Sequence, residues 1–157
     1  MDQAALSLTQ RAFFLQIDEQ YRRNLTRLVW ELMEIRTNGR QWVHVELDAG
    51  FNVFLWQVTV FPDPEWGLSR ELMADFEALS EKQGGRAGIQ VKATFNAFFP
   101  LISPFFFLTS PQLRSSNLTR DGFILQPPVW KQESTVMEHL QLAVKLVLTA
   151  AEARLDL

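Results

Sequence analysis

The sequence contains no cysteine among its 157 residues. Disulfides, thiolate metal sites and thioester chemistry are therefore excluded for this chain, because each of them needs a thiol. It also lacks an unbroken apolar stretch of about 18 residues, the length that spans a bilayer as a helix. Its strongest apolar run, residues 98–108, is interrupted by Pro100 and Pro104. We expect no transmembrane segment.

Neither basic nor acidic residues are in large excess. Lysine and arginine number 15 and acidic residues 18, giving a formal net charge of -3. This balance leaves no polybasic face, so nucleic acid is not an expected partner. The N-terminus lacks the basic and apolar regions of a secretory signal, which predicts an intracellular protein, cytoplasmic by default.

Hydrophobic residues make up 47% of the chain, which predicts one domain with a well-filled core. Apolar residues recur three or four positions apart from about Leu6 to Ile35, which predicts one long amphipathic helix that ends at residues 37–39. The β-branched and aromatic segments 42–47 and 51–60 then predict a β-hairpin.

The remaining elements follow in the same way. A helix is predicted over 68–81, a strand over 89–95 and a fourth strand over 105–108, followed by a polar, irregular region. Ser134 is the predicted cap of a last helix that runs on towards Leu157. The expected fold class is α+β: an N-terminal helix, a four-stranded antiparallel meander with an extra helix between strands 2 and 3, and a C-terminal helix.

Two motifs resemble ubiquitin-conjugating enzymes. Residues 99–104, Phe-Pro-Leu-Ile-Ser-Pro, resemble that family's Tyr-Pro-x-x-Pro-Pro element, and residues 54–58, Phe-Leu-Trp-Gln-Val, resemble its Phe-x-Trp-x-Val strand. The segment from Trp130 onwards resembles the C-terminal helix of the Q-type branch, as does the helix predicted between strands 2 and 3. The resemblance implies a UBC-like domain over residues 25–157, preceded by an N-terminal helical extension over residues 1–24.

The same resemblance identifies a degenerate catalytic site. In that family an asparagine lies eight residues before the catalytic cysteine, and here Asn117 and Leu125 keep that spacing. Leucine offers no lone pair that could attack or carry an acyl group, so the resemblance implies a pseudoenzyme with an irregular, inactive loop. Ser115-Ser116 replaces the family's His-Pro. We expect the Asn117 side chain to bond its own backbone rather than to stabilise an oxyanion.

No cofactor or metal is predicted. His44 and His139 are the only histidines, and a metal site needs three or four convergent ligands. Glu31, Glu34 and Glu46 are scattered along segments whose other side is apolar, which is typical of a solvated face. Their pattern does not suggest an acid–base pair.

Aromatic residues are the best candidates for a binding surface. Phe105, Phe106 and Phe107 place aromatic rings on both faces of one strand, and together with Trp130 they form the candidate interface. The alternative is that the helix at 68–81 or the N-terminal arm covers the exposed side of that strand.

Two functions remain open at this point. One is a non-catalytic binding or scaffold module that binds ubiquitin, a conjugating enzyme or a ligase. The other is a structural accessory subunit that binds neighbouring subunits of a large assembly, in the cytoplasm or in an organelle, without a role for ubiquitin.

Overall fold

The computed structural model describes residues 8–47, 50 and 52–157. Within these residues the four longer strands form one antiparallel sheet in the order β1-β2-β3-β4. The predicted α+β class, with a helix between strands 2 and 3, is confirmed. In chain order the elements are α1 (Leu8–Asn38), β1 (Val43–Leu47), β2 (Leu55–Val60), α2 (Arg70–Gln83), β3 (Ile89–Thr94), β4 (Phe105–Ser110), β5 (Leu113–Arg114), α3 (Val136–Leu148) and β6 (Arg154–Leu155).

One face of the sheet is buried and the other is partly open. Side chains alternate between the faces, as the two-residue period of a strand requires. The buried face packs with apolar residues of α1 and α3 in one hydrophobic core. The buried side chains on this face of the sheet are Val43, Val45, Trp56, Val58, Val60, Ile89, Val91, Ala93, Phe106 and Leu108.

Helix α1 turns a regular stripe towards this core. Leu28, Leu32 and Ile35 are buried at the spacing that the sequence predicts. The helix ends at Asn38, inside the predicted 37–39, and the Gly39 N–H donates to the Ile35 carbonyl at 2.9 Å. The predicted start near Leu6 lies outside the described residues.

Glu31 does not lie on a solvated face, and that prediction was wrong. Its side chain is fully buried where α1 meets the start of α3. One carboxylate oxygen accepts from Arg27 Nε at 2.9 Å and the other from the Val136 N–H at 3.1 Å. Arg27 in turn donates to the Gln132 and Ser134 carbonyls. The pair therefore fixes the N-terminus of α3, where the helix dipole favours a negative charge.

The cap of α3 is Thr135 and not Ser134. Thr135 Oγ1 accepts from the Glu138 N–H at 3.2 Å. Ser134 Oγ instead accepts from the Lys131 N–H at 3.1 Å and closes the preceding turn. Both residue types cap helices well, so tertiary contacts decide which of two adjacent candidates does so.

The last helix is also shorter than predicted, because it ends at Leu148 and does not run towards Leu157. Residues Arg154–Leu155 form β6, which pairs with β5. Ala153 and Leu155 are buried in the core. Burying these two side chains requires the chain to leave the helical path, and this requirement overrides the favourable helical pattern.

Helix α2 is joined to this two-stranded ribbon by one carboxylate. Asp75 accepts from Arg154 Nε at 2.7 Å, from Arg154 Nη2 at 2.9 Å and from the Leu155 N–H at 3.0 Å. The hydrogen bonds from Arg154 hold the pKa of the Asp75 carboxyl below its usual range. A bidentate pair of this kind is geometrically specific, so it sets where α2 lies.

Candidate functional site

The region between β5 and α3 contains a short hairpin rather than an irregular loop. The Leu125 N–H donates to the Asn117 carbonyl at 2.9 Å, and the Thr119 N–H donates to the Phe123 carbonyl at the same distance. Leu118 and Ile124 form a bridge between these two contacts. The structure therefore places Asn117 and Leu125, the two residues of the predicted degenerate site, opposite each other. We call residues 117–125 the site hairpin.

The site hairpin is attached to the edge of the sheet. The Leu108 N–H donates to the Gly122 carbonyl at 2.9 Å, and Phe123 pairs with Phe107 of β4. Gly122 has φ +90, and a Cβ at this position would collide with the Leu108 carbonyl. Only glycine allows so close an approach with this backbone, so Gly122 determines how the hairpin lies on β4.

The Asn117 side chain is used for structure, but its partner is not the predicted one. Its amide Nδ2 donates to the Leu146 carbonyl at 3.0 Å, not to its own backbone. Ser115 Oγ donates to the Val147 carbonyl at 2.8 Å and accepts from the Asn117 N–H at 3.3 Å. These contacts satisfy carbonyls of the last turn of α3, which have no partner within the helix.

One exposed carboxylate adds to this attachment. Glu152, just beyond α3, accepts from the Ser116 N–H at 2.8 Å. Hydrogen bonds from Ser116 hold the pKa of Glu152 below its usual range. The two serines that stand where the resemblance expects His-Pro therefore attach the site hairpin to the end of α3.

The side chain of Leu125 is 57% exposed at the end of this hairpin. It carries no nucleophile, and the hydrogen-bonding partners of Ser115 Oγ are backbone groups rather than a base. No chemical step of acyl transfer can be assigned to this arrangement. That Leu125 occupies the position of a catalytic cysteine stays a prediction.

The aromatic residues of the candidate interface separate into two environments. Phe106 lies in the core, and Trp130 is half-buried, with its indole donating to the Pro100 carbonyl at 2.8 Å. Phe105 is 49% exposed and Phe107 half-buried on the open face of the sheet. Phe123 of the site hairpin packs on both of these rings, with centroids 5.5 Å apart in each pair. Their binding role stays a prediction.

A larger exposed surface surrounds these rings. Residues 95–113 and 122–130 contain no charged residue, and the contacts of Phe105 with Phe123 and of Pro100 with Trp130 bring the two segments together. Sequence reasoning missed most of this surface, although the shared absence of charge was visible. We call its exposed members the uncharged surface: Phe98, Leu101, Ile102, Phe105, Phe123, Leu125 and Val129.

His139 lies beneath this surface and is almost fully buried. Its ring packs at 5.6 Å from Phe106 and at 5.1 Å, edge to face, from Trp130. Burial lowers the pKa of His139, because the charged imidazolium would lose its hydration there. His44 lies on β1, far from His139 in the sequence. In an exposed position, its Nε2 lies 2.9 Å from Glu46 Oε1.

Among the residues that the structure describes, no three histidine or acidic side chains come close enough to hold a metal ion. No helix within the described ranges is both long enough and apolar enough to cross a bilayer.

The folds of known proteins match this architecture. Human ubiquitin-conjugating enzyme E2 G1 is similar with a TM-score of 0.57 and 21% identity, over 82% of this chain and 95% of its own. A Plasmodium falciparum ubiquitin-conjugating enzyme E2 is similar with a TM-score of 0.59 and 14% identity, over 81% of this chain and 84% of its own. A Plasmodium vivax ubiquitin-conjugating enzyme E2 is similar with a TM-score of 0.57 and 15% identity, over 78% of this chain and 98% of its own.

This protein has the ubiquitin-conjugating enzyme fold. The expected UBC-like architecture is thereby confirmed, and a chain with this fold and without cysteine is consistent with an inactive variant. No family model matches the sequence, and no curated protein matches it either. Assignment to the Q-type branch stays a prediction.

Proposed function

We propose that this protein is a non-catalytic module of the ubiquitin-conjugating enzyme fold that acts by binding other proteins. The observation that carries the proposal is the pairing of Leu125 with Asn117 across the site hairpin in a chain without cysteine. A protein with this fold that catalyses no reaction can still act through its binding surfaces. Leu125 at the cysteine position and Asn117 at the asparagine position are parts of this proposal.

The uncharged surface is the proposed binding site. It is apolar and exposed over two adjoining segments without one charged residue, and the centres of protein interfaces are depleted of charge in the same way. Lys92, whose Nζ lies 5.8 Å from the Phe107 ring, borders the surface; away from it, a partner that buried a charge would lose hydration without gaining a counterion. The surface therefore fits a partner whose own contact area is apolar and uncharged.

The similar solved proteins are named as ubiquitin-conjugating enzymes, and this naming suggests the first partners to test. They are ubiquitin, an active conjugating enzyme and a ligase. Binding to any of these would make the protein a regulator of a modification pathway.

A second candidate function is supported by α1. All side chains described between residues 11 and 23 are exposed, and Asn24 is the first of the described side chains of this helix to be buried. Residues 1–24, the proposed N-terminal extension, would then contribute contacts to neighbours rather than to the core. This favours a structural accessory subunit of a larger assembly, with no role for ubiquitin.

The experiment that separates the two candidates is the native size of the endogenous protein in a gentle lysate, with mass spectrometry of co-migrating proteins. Co-migration with ubiquitin-pathway enzymes supports the regulator. Co-migration in a large stoichiometric complex without them supports the accessory subunit. Migration as a small species without any partner contradicts both.

A variant pair tests the binding surface itself. Leu101→Asp and Val129→Asp place a charge in the uncharged surface, whereas Leu142→Asp places one on an exposed position of α3. We expect the first two variants to lose the co-migrating partners and the control to keep them. Retention of all partners by Leu101→Asp and Val129→Asp would remove the uncharged surface from the proposal.

A further inference from the structure

His139 on α3 is a buried polar side chain that has no hydrogen bond in the described part of the chain. Only 5% of it is exposed, and neither ring nitrogen has a hydrogen-bond partner among the described residues. Its ring contacts are with Phe106 and Trp130, two aromatic side chains. Since nearly all buried polar groups in proteins are hydrogen-bonded, such an exception indicates a partner that the chain itself does not supply.

A small cavity connects this ring to the uncharged surface. Within the described ranges, no side-chain nitrogen or oxygen is both fully buried and without a hydrogen bond, so the His139 nitrogens must be accessible to a molecule of the size of water. The cavity beside the ring has a volume of about 70 Å³, and the exposed Ser103 and Phe105 line it as well. A volume of this size holds about two groups as large as a water molecule, each of which takes about 30 Å³.

The walls of the cavity offer few hydrogen-bonding groups. Pro104, Pro127 and Pro128 have no N–H, and the side chains in the lining that can form hydrogen bonds are His139 and Ser103. The Ser103 hydroxyl has no partner in the described part of the chain either. Burial lowers the pKa of His139, so near neutral pH the ring is uncharged and offers one donor and one acceptor. An occupant therefore has to supply both an acceptor and a donor.

Charged side chains lie around this part of the fold but not in the cavity. Arg27 and Glu31 pair with each other at 2.9 Å at the start of α3. Lys131 and Glu138 are exposed, and Lys92 lies on β3. None of these five residues lines the cavity. A charged occupant would therefore lose hydration there without gaining a counterion.

A carboxamide group meets these requirements better than a hydroxyl. Its C=O accepts, its NH2 donates, and these two groups together match the size of the cavity, whereas a hydroxyl is a single group. We propose that the cavity at His139 receives the side chain of an asparagine or glutamine from a partner protein. This inference rests on the proposed binding at the uncharged surface and names a polar contact within it. A few placed polar groups in a mostly apolar site are what fix the orientation and specificity of a ligand.

The test uses acetamide, which carries the carboxamide of asparagine without its backbone, and follows the histidine rings of the full chain by NMR at about pH 7.5. The chain has 2 histidines, so the exposed His44 is a control in the same spectrum. We expect a saturable shift of the His139 signals, with the millimolar dissociation constant of a very small ligand, and no saturable shift of His44. Acetate, which has the same shape but is charged, and ethanol, which carries a hydroxyl, should each bind at least about tenfold more weakly.

A variant pair locates the binding. Ser103→Leu enlarges a side chain in the cavity wall, so it should raise the acetamide dissociation constant by about tenfold or more. Ser110→Leu, the same change at an exposed serine of β4 that does not line the cavity, should leave the constant unchanged. A cooperative thermal transition shows that each variant folds. The comparison of acetamide with acetate and ethanol needs no variant, so it decides the proposal in the parent chain alone.

The inference is overturned if acetamide causes no saturable shift of His139, or if acetate or ethanol binds as tightly as acetamide. In the lysate experiment, Ser103→Leu should lose the partners that Leu101→Asp loses, and Ser110→Leu should keep them. Retention of these partners by Ser103→Leu, while Leu101→Asp loses them, also overturns this inference but leaves the proposed function intact.

Discussion

At the scale of single residues, Glu31 connects α1 to the start of α3. Its buried carboxylate accepts from Arg27 and from the Val136 N–H, and both donors would lose their acceptor without it. We expect Glu31→Ala to lower the free energy of unfolding by about 1–3 kcal/mol, the usual cost of leaving a buried hydrogen-bond donor without its acceptor. Chemical denaturation at neutral pH measures this difference.

Glu19→Ala is the matched control on the same helix, because Glu19 is exposed and its pair with Arg23 is long. Its effect should stay within about 0.5 kcal/mol. Equal effects of the two substitutions would contradict the role assigned to Glu31.

His139 predicts a dependence of stability on pH. Its pKa is lowered in the folded protein by burial, so the unfolded chain takes up the proton first as the pH falls. Stability should therefore decrease below about pH 6.5, the unperturbed value, by at most about 1.4 kcal/mol per pH unit until the lowered pKa is reached. We expect the loss between pH 7.5 and 5.5 to be smaller in His139→Phe than in the parent.

Glu31, whose pKa is raised by burial, has the opposite sign, because the stability that its protonated form contributes at low pH is lost as the pH rises through the raised pKa. It is present in both proteins and does not affect their difference. A His139→Phe protein with an unchanged slope would show that another group titrates.

At the scale of elements, the site hairpin depends on one glycine. Gly122→Ala requires a side chain at φ +90 and a collision with the Leu108 carbonyl. Gly67→Ala also requires a positive φ, but no atom lies within 4 Å of its Cβ position. We expect Gly67→Ala to cost about 1–2 kcal/mol, which is the backbone penalty alone, and Gly122→Ala to cost clearly more.

Thermal or chemical unfolding of the two glycine variants measures this contrast. Amide hydrogen exchange at Leu108 gives a local readout, because its N–H donates to the Gly122 carbonyl. Faster exchange there in Gly122→Ala alone is the expected result. Equal losses of stability in both variants would mean that the hairpin adjusts to the added methyl group.

Element boundaries show where sequence reasoning succeeds and where it stops. The apolar spacing located α1, α2 and the four main strands. Each of these elements buries one face, so apolar residues recur in the sequence with the period of a helix or a strand. The same spacing predicted α3 beyond Leu148, since Ala151 continues the apolar pattern of the helix. The pairing of β6 with β5, some 40 residues earlier in the chain, is not visible in that local pattern.

At the scale of the whole molecule, the proposed inactive site should resist simple repair. In Leu125→Cys we expect no thioester with ubiquitin after incubation with activating enzyme and ATP. One N–H of the Asn117 amide donates to the Leu146 carbonyl, and this bond ties the side chain to α3 instead of leaving it to turn freely towards an oxyanion at residue 125. Ser115 and Ser116 likewise attach the hairpin to the end of α3 and its flank.

Non-reducing electrophoresis detects a thioester, and an active conjugating enzyme in the same reaction shows that the assay works. The introduced thiol is the only one in the chain, so any adduct must lie on residue 125. A ubiquitin adduct that disappears on reduction would contradict this prediction and imply that only the nucleophile is missing.

Composition alone excludes thiol chemistry, because an atom inventory needs no fold. Periodicity, a local property of the chain, predicts the α+β class, whereas Asn117 and Leu125 were paired only by the resemblance to ubiquitin-conjugating enzymes. Tertiary contacts set the burial of Glu31, the cap of α3 at Thr135 and the meeting of the uncharged segments 95–113 and 122–130. Each of these depends on contacts between residues far apart in the chain, and burial of the core selects those contacts over local preference.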